Sequence, residues 1–424
     1  MKKTVLTLLL LAAGWCATAQ PTLEQCHTLA REHYPAIRQY DLVSQSREFT
    51  LSNAAKAWLP QVTVGAQATW QNAVATFPET LTGMMETMGM EIPGIRKFQY
   101  QLSVQADQTL WDGGRTRAQK ELAAAESAEQ AGSVDVDFYA LEGRINELYF
   151  GILMLDNRIG RTESLLSLLG SNLEQVRAMV RGGVAMQADA DALEAECLGA
   201  EQTLARLRST RESYRRVLSL FIGSELGEGD LPEPPMPSRT VQAPRPELEL
   251  LDAKIRTADA RETMEKAAVL PRFSLFAQSW YGYPGLDMFK SMTTGDPTFN
   301  AIVGLRMSWN VSAFYTRSNH RRQLEIAREQ ARVQKDIFSF NTTLQQVQLD
   351  AELDRLQETL ATDERIAELR RSVRQGAESR YRNGVIPMTE LLSAIHEEDA
   401  AENARAADAL ELLKTAYELK YNAL

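Results

Sequence analysis

Few side chains in this 424-residue chain could do chemistry, and their spacing does not suit it. The four histidines are His27, His33, His320 and His396. None has a second histidine at metal-ligand spacing, and His396-Glu397-Glu398 lacks the partner that an H-E-x-x-H zinc site needs. His33, next to Pro35, reads as a capping or surface residue. The chain has no G-x-S-x-G elbow, no P-loop and no strand leading into G-x-G-x-x-G. An enzyme is not expected, nor a cofactor or a resident metal. Met84, Met85, Met88 and Met90 gather within Leu81–Met90. Thioethers can touch soft metals, but a flexible apolar loop accounts for them more simply.

Charge and the N-terminus narrow the classes further. Lys2 and Lys3, the mostly apolar run Val5–Ala13 and the small-x-small triplet Ala17-Thr18-Ala19 form a secretory signal, with the mature start at about Gln20. Lipidation at Cys16 is the alternative, and Trp15 before it argues against that. The 46 basic and 56 acidic residues give a net charge of −10, and loss of both leading lysines makes the balance more acidic. An acidic exported chain is a poor partner for nucleic acid, whose phosphates call for clustered Lys and Arg. Cys26 and Cys197 then remain, and two buried free thiols are expected rather than a disulfide framework.

What could position a function is the patterning. Gln61–Gln71 and Phe98–Gln108 alternate apolar and polar residues without a break. Val62, Val64, Ala66, Ala68 and Trp70 share one side of the first, and Phe98, Tyr100, Leu102, Val104 and Ala106 one side of the second. A strand turns successive side chains to opposite faces, so each has one greasy and one wet face. At about 10–11 residues they match tilted strands that cross a bilayer. Two noisier stretches follow the same rule. In Arg272–Tyr283, Phe273 and Leu275 mark the apolar face while Phe276 and Trp280 fall on the other. In Asn300–Val311, the apolar face carries Val303, Leu305 and Trp309. Trp58, Trp70, Tyr100, Trp111, Trp280, Tyr281, Tyr283 and Trp309 fall at or near strand ends, as a bilayer girdle or plain strand preference would place them. No apolar run reaches the roughly 20 residues of a membrane helix.

The order of motifs occurs twice. Trp58-Leu59-Pro60 before a strand is echoed by Val269-Leu270-Pro271, and Arg181-Gly182-Gly183-Val184 by Arg382-Asn383-Gly384-Val385. The second spacing is shorter by ten, which loop Asn72–Lys97 absorbs, being longer than loop Pro284–Phe299. Between hairpins, the proline-free stretches Arg115 to about Met179 and Arg317 to Arg380 read as very long helices, with an apolar stripe in the first. Shorter helices are expected over about Ala185–Phe221 and Pro387–Asn422, and before the strands over Thr22–Ala57 and Pro246–Ala268. The expected organisation is a signal at 1–19, a first repeat at 20–222 with hairpin 61–110 and tip turn 181–184, and a proline-rich linker at 223–245. A second repeat at 246–424 has hairpin 272–312 and tip turn 382–385.

This duplicated order of helix, Leu-Pro, hairpin, turn, long helix, glycine turn and helix resembles the TolC-like outer membrane factors over essentially the whole mature chain. The resemblance implies a mainly α protein with membrane β-structure. Three chains would each give four strands to one 12-stranded barrel in the outer membrane, and long antiparallel helices would continue as a periplasmic α-barrel. Four strands cannot close a barrel alone, which argues independently for an oligomer, and the resemblance makes it a homotrimer. The apolar strand residues would then face outer-membrane lipid. It further implies that the tips Arg181, Gly182, Gly183, Val184, Arg382, Asn383, Gly384 and Val385 dock a periplasmic adaptor (membrane fusion) protein, which links to an inner-membrane transporter. Glu390, with Asp189 at the corresponding place after the first tip, would form the pore constriction; a second acidic position of the family is Ser393 here. The expected role is a passive exit channel for efflux or type I secretion. The rival is a periplasmic coiled-coil scaffold or adaptor of an export complex.

Overall fold

The computed structural model describes residues 20–89, 94–227, 229–238 and 245–422. The signal segment with Lys2, Lys3 and Cys16 lies outside the described residues, as do Met90 and part of the proline-rich linker. In chain order the elements are α1 (Leu23–His33), α2 (Ile37–Lys56), β1 (Gln61–Trp70), α3 (Glu79–Thr87), β2 (Phe98–Trp111), α4 (Arg115–Arg181) and α5 (Gln187–Ile222). Then come α6 (Pro246–Ala268), β3 (Arg272–Tyr283), α7 (Met288–Thr294), β4 (Thr298–Ser308), α8 (Ala313–Arg382) and α9 (Met388–Tyr421). The long helices run unbroken for 67 and 70 residues.

Several expectations are corrected. The helix expected over Thr22–Ala57 is two. Thr22 caps α1 through a box with Gln25, and Pro35 breaks the chain because it lacks an N–H and pushes Tyr34 into an extended conformation. β4 ends at Ser308, so Trp309 lies just past the strand, its indole N–H donating to the Val269 carbonyl at 3.0 Å. Tyr283 is no girdle residue: it is 2 % exposed, its hydroxyl accepting from the Arg96 N–H and donating to the Ser291 carbonyl. The hairpin loops carry short helices, α3 and α7, that no strong periodicity announced.

The residues group into two compact units. One comprises the described residues up to Asp41, Gly132–Leu250 and Gln334 onward; the other comprises Leu42–Ala131 and Leu251–Val333. In the first unit one core gathers Leu23, Cys26 and Ala30 of α1 with Phe138, Ile145, Tyr149 and Ile152 of α4, Leu218 and Ile222 of α5, and Leu410 and Tyr417 of α9. The described part of the linker is strapped to this core. Leu231 is buried in it, the Tyr149 hydroxyl donates to the Pro232 carbonyl at 2.6 Å, and Tyr417 donates to Pro235 at 3.0 Å. Cys26 and Cys197 are free and buried, and burial pushes the Cys26 thiol up to about 12. The second unit holds a single antiparallel sheet in the order β1-β2-β3-β4.

Candidate functional site

The sheet register sorts the side chains by face. Directly opposed residues share a face, and the β1–β2 pairs are uniform: Val62 meets Ala106, Val64 meets Val104, Ala66 meets Leu102, and Trp70 meets Phe98. On the other face Gln61 meets Asp107, Thr63 meets Gln105, and Gln67 meets Gln101. β3 and β4 extend the apolar face through Ala277 opposite Val303, Leu275 opposite Leu305 and Phe273 opposite Met307. Apart from the loop end of β3, where Tyr283 is buried, this face is open among the described residues. Val62 is 64 % exposed, Trp70 70 % and Leu305 75 %, with Val64, Tyr100, Leu102, Val104, Phe273, Leu275 and Val303 also exposed. A contiguous apolar surface of this extent is a binding or lipid surface.

The wet face accommodates Phe276, one of the two residues that broke the alternation of β3. Phe276 sits between Asp107 and Gly304. The Arg306 guanidinium lies 4.5 Å from its ring and reaches over it to the Asp107 carboxylate at 3.1 Å. Gln105 donates to the same carboxylate at 2.6 Å. Gly304 makes the room, because a Cβ there would stand 3.0 Å from the Phe276 ring. Trp280, the other exception, pairs with Asn300.

The two helix turns are built alike. Gly183 and Gly384 adopt φ of 71° and 69°. In the first, Gly183 donates to Val180 and Val184 to Met179; in the second, Gly384 donates to Tyr381 and Val385 to Arg380. Both are Schellman closures, with glycine taking the left-handed position and a valine following. Arg181, Gly182, Val184, Arg382, Asn383 and Val385 are exposed, Val184 at 73 % and Val385 at 69 %. Behind both turns lies one core of Leu169, Leu173, Leu193, Tyr381, Leu391 and Ile395. Glu390 is exposed on the first turn of α9. Asp189 instead caps α5, accepting the Met186 N–H at 3.3 Å, and it lies beside Tyr381. Burial and the Asp189 charge push that hydroxyl up to about 12. The structure thus brings Asp189 against the second turn, while Glu390 stays free of any partner among the described residues.

Sequence reasoning missed a buried charge node. Glu402 of α9 is 6 % exposed and pairs with Arg161 of α4 at 3.1 Å, Arg405 at 3.2 Å and Arg371 of α8. Arg374 beside it pairs with Glu378 and Glu398. The histidines hold ordinary contacts: His27 with Asn146, His320 with Glu265, His396 with Glu196. His33, exposed as expected, packs over Gly223. Among the described residues no His, Cys, Asp or Glu group could hold a metal, and no helix is long and apolar enough to cross a membrane.

No protein-family model and no curated protein sequence matches the chain. Solved structures do. The outer-membrane channel OprN aligns over 95 % of this chain and 90 % of its own, with TM-score 0.69 and 19 % identity. The outer membrane protein VceC from Vibrio cholerae aligns over 95 % and 94 %, with TM-score 0.68 and 14 % identity. The Neisseria gonorrhoeae MtrE outer membrane channel in its open state aligns over 96 % and 89 %, with TM-score 0.67 and 17 % identity. The chain has the fold of the outer-membrane channels. At these identities the likeness is one of fold.

Proposed function

We propose that this chain is the outer-membrane exit channel of a tripartite efflux or type I secretion system. Its role is to conduct substrate passively from an inner-membrane pump out of the cell. The observation that carries this reading is the sheet: one face apolar and uncovered, the other wet, and both edges open. In lipid an open edge leaves backbone groups unpaired, so the four strands need further strands to close a cylinder. Three copies supply twelve, with Val62, Val64, Trp70, Tyr100, Leu102, Val104, Phe273, Leu275, Val303 and Leu305 toward lipid and the wet face toward the lumen. Trp309 joins them as an interface residue just beyond β4. The same order of elements before and after the linker supports a direct duplication.

The helical part supports assembly as well. Ile337, Phe340, Leu344 and Val347 of α8 are exposed at alternating spacings of three and four, the seam of a coiled coil that seeks a neighbouring helix. The exposed turns, with Val184 and Val385 at their points, are the docking surface for a periplasmic adaptor. Glu390 lines the constriction, where three symmetry-related carboxylates would favour cations; Asp189 supports it from the facing turn.

Two measurements test this. In membrane fractions the protein should resist a high-salt wash, whereas a periplasmic scaffold would be released. In planar bilayers it should conduct, and Glu390→Ala should weaken cation selectivity. Unchanged selectivity rejects the gate assignment, and absence of conductance rejects the channel.

A further inference from the structure

We infer that the open edges of β1 and β4 pair between neighbouring copies in one register, which sets Gly65 opposite Gly304 and Val64 opposite Leu305. The inference rests on the barrel reading and specifies its seam. The backbone sets the first condition. Gln71 donates to the Lys97 carbonyl at 2.9 Å, continuing the β1–β2 ladder. Odd-numbered residues of β1 therefore direct their backbone groups to β2, and Val62, Val64, Ala66, Ala68 and Trp70 direct theirs to the open edge. Carried through the pairs Tyr100–Tyr283 and Trp280–Asn300, the alternation leaves Phe299, Ala301, Val303, Leu305 and Met307 on the other open edge. Both edges thus offer the backbone of apolar-face residues. A one-residue slip would oppose greasy to wet side chains along the whole seam.

Strand stagger sets the second condition. Straight across the ladder, Val64 leads to Val104, Ser279 and Ala301. Val64 lies near the helix end of β1, whereas Val104, Ser279 and Ala301 lie equally far from the helix ends of β2, β3 and β4, so the perpendicular climbs between β1 and β2 and then runs level with those ends. Setting the helix ends of β4 and the next copy's β1 level carries it on to Ala68 of that copy, about four residues above Val64 after four strands. That is the register with Gly65 opposite Gly304, and it pairs β1 in full, from Gln61 against Ser308 to Trp70 against Phe299. A shear of one residue per strand corresponds to a tilt of about 36°, inside the range of roughly 35–45° for outer-membrane barrels. Slips of two residues would require about 20° or about 46° and would leave strand ends unpaired.

The glycine pair gives the seam a reason. On the wet face Phe276 leans over Gly304 under the Arg306 guanidinium. A second glycine across the seam leaves that ring and its cation unobstructed, and the ring covers a stretch of backbone that neither glycine shields.

Disulfide scanning tests the register. Gln67 and Ile302 form a non-hydrogen-bonded pair in it, with Cα atoms about 4.5 Å apart, within disulfide range. Ile302→Cys is combined in turn with Gln67→Cys, Gly65→Cys or Thr69→Cys in the full-length membrane-inserted protein, with each single variant as a blank. Gln67→Cys with Ile302→Cys should give disulfide-linked trimers at least tenfold faster than the other two, whose partners stand about 7–8 Å away on the diagonal. A second scan at the opposite end anchors on Ser308→Cys, with Gln61→Cys favoured over Thr63→Cys, so a folding defect at one position leaves the register decidable. Fastest linkage by a shifted pair, in protein whose native mass is that of a trimer, overturns the register and leaves the barrel standing. A native mass below the trimer with no linkage in any pair overturns both.

Discussion

At the scale of single residues, the buried carboxylate of Glu402 makes the electrostatics of the helical part testable. Burial alone would raise its pKa, but the charges and hydrogen bonds of Arg161, Arg405 and Arg371 more than offset that, and the net shift is downward. A folded-state value below the ordinary 4.5 means that this carboxylate stabilises the fold at all pH values above it. That contribution is lost as pH falls through the folded value. Glu402→Gln leaves three partly exposed guanidinium groups facing a neutral amide, at an expected cost of about 1–3 kcal/mol. Denaturant titration of the helical circular dichroism at pH 7 measures it. The same variant should show a flatter loss of stability than the parent as pH falls below 4.5. Nothing in the sequence distinguishes Glu402 among 56 acidic residues, because its role depends on arginines from two other helices and on a burial that only packing creates.

At the scale of elements, the turns make a sharper test because glycines with left-handed and with ordinary φ both occur in them. A Cβ on Gly183 or Gly384 would meet nothing within 4 Å, so the only obstacle to alanine is the positive φ. Gly183→Ala and Gly384→Ala should each cost about 1–2 kcal/mol, read as faster amide exchange in the last turn of α4 or α8. Gly182, with ordinary φ and a Cβ that would make ordinary contacts at 3.5–3.9 Å, should accept alanine with little change. These turns were legible from Arg-Gly-Gly-Val and Arg-Asn-Gly-Val because left-handed backbone leaves a mark on residue type. So were the strands, whose period of two follows from one wet and one dry face, and β3 matches its expected limits. Phe276 and Trp280 were not interpretable from that period: Phe276 is tolerated on the wet face through Arg306 and Gly304, residues supplied by another strand. The helix break at Pro35 was readable from the proline itself, yet the apolar spacing on either side disguised it. The strapped linker depends on tertiary contacts, through Leu231 and the Tyr149 and Tyr417 hydroxyls, that leave no periodic trace.

At the scale of the whole molecule, the central question is which sheet face meets lipid, and opposite substitutions decide it. Both faces are partly solvent-accessible in the isolated chain, so exposure alone does not separate them; register and side-chain chemistry do. Val64 and Gln101 sit within adjacent strands on opposite faces. Val64→Arg would place a charge on the lipid face, at an expected penalty that approaches about 2–4 kcal/mol toward the bilayer midplane. Gln101→Arg would place the same charge in a wet lumen at little cost. The yield of trimer that survives detergent extraction measures both, since insertion and closure must precede it. A strong fall for Val64→Arg with near-parental yield for Gln101→Arg is the expected pattern. The reverse pattern would turn the sheet inside out, and equal tolerance would mean that neither face enters lipid. Ile337→Glu supplies the matching control in α8: it weakens the exposed helical seam without touching the sheet, so the trimer should still insert but dissociate at a lower temperature in detergent. A trimer recovered from the membrane fraction at near-parental yield yet melting earlier would separate helix-driven association from barrel closure, the two sources of cohesion that the proposed assembly combines.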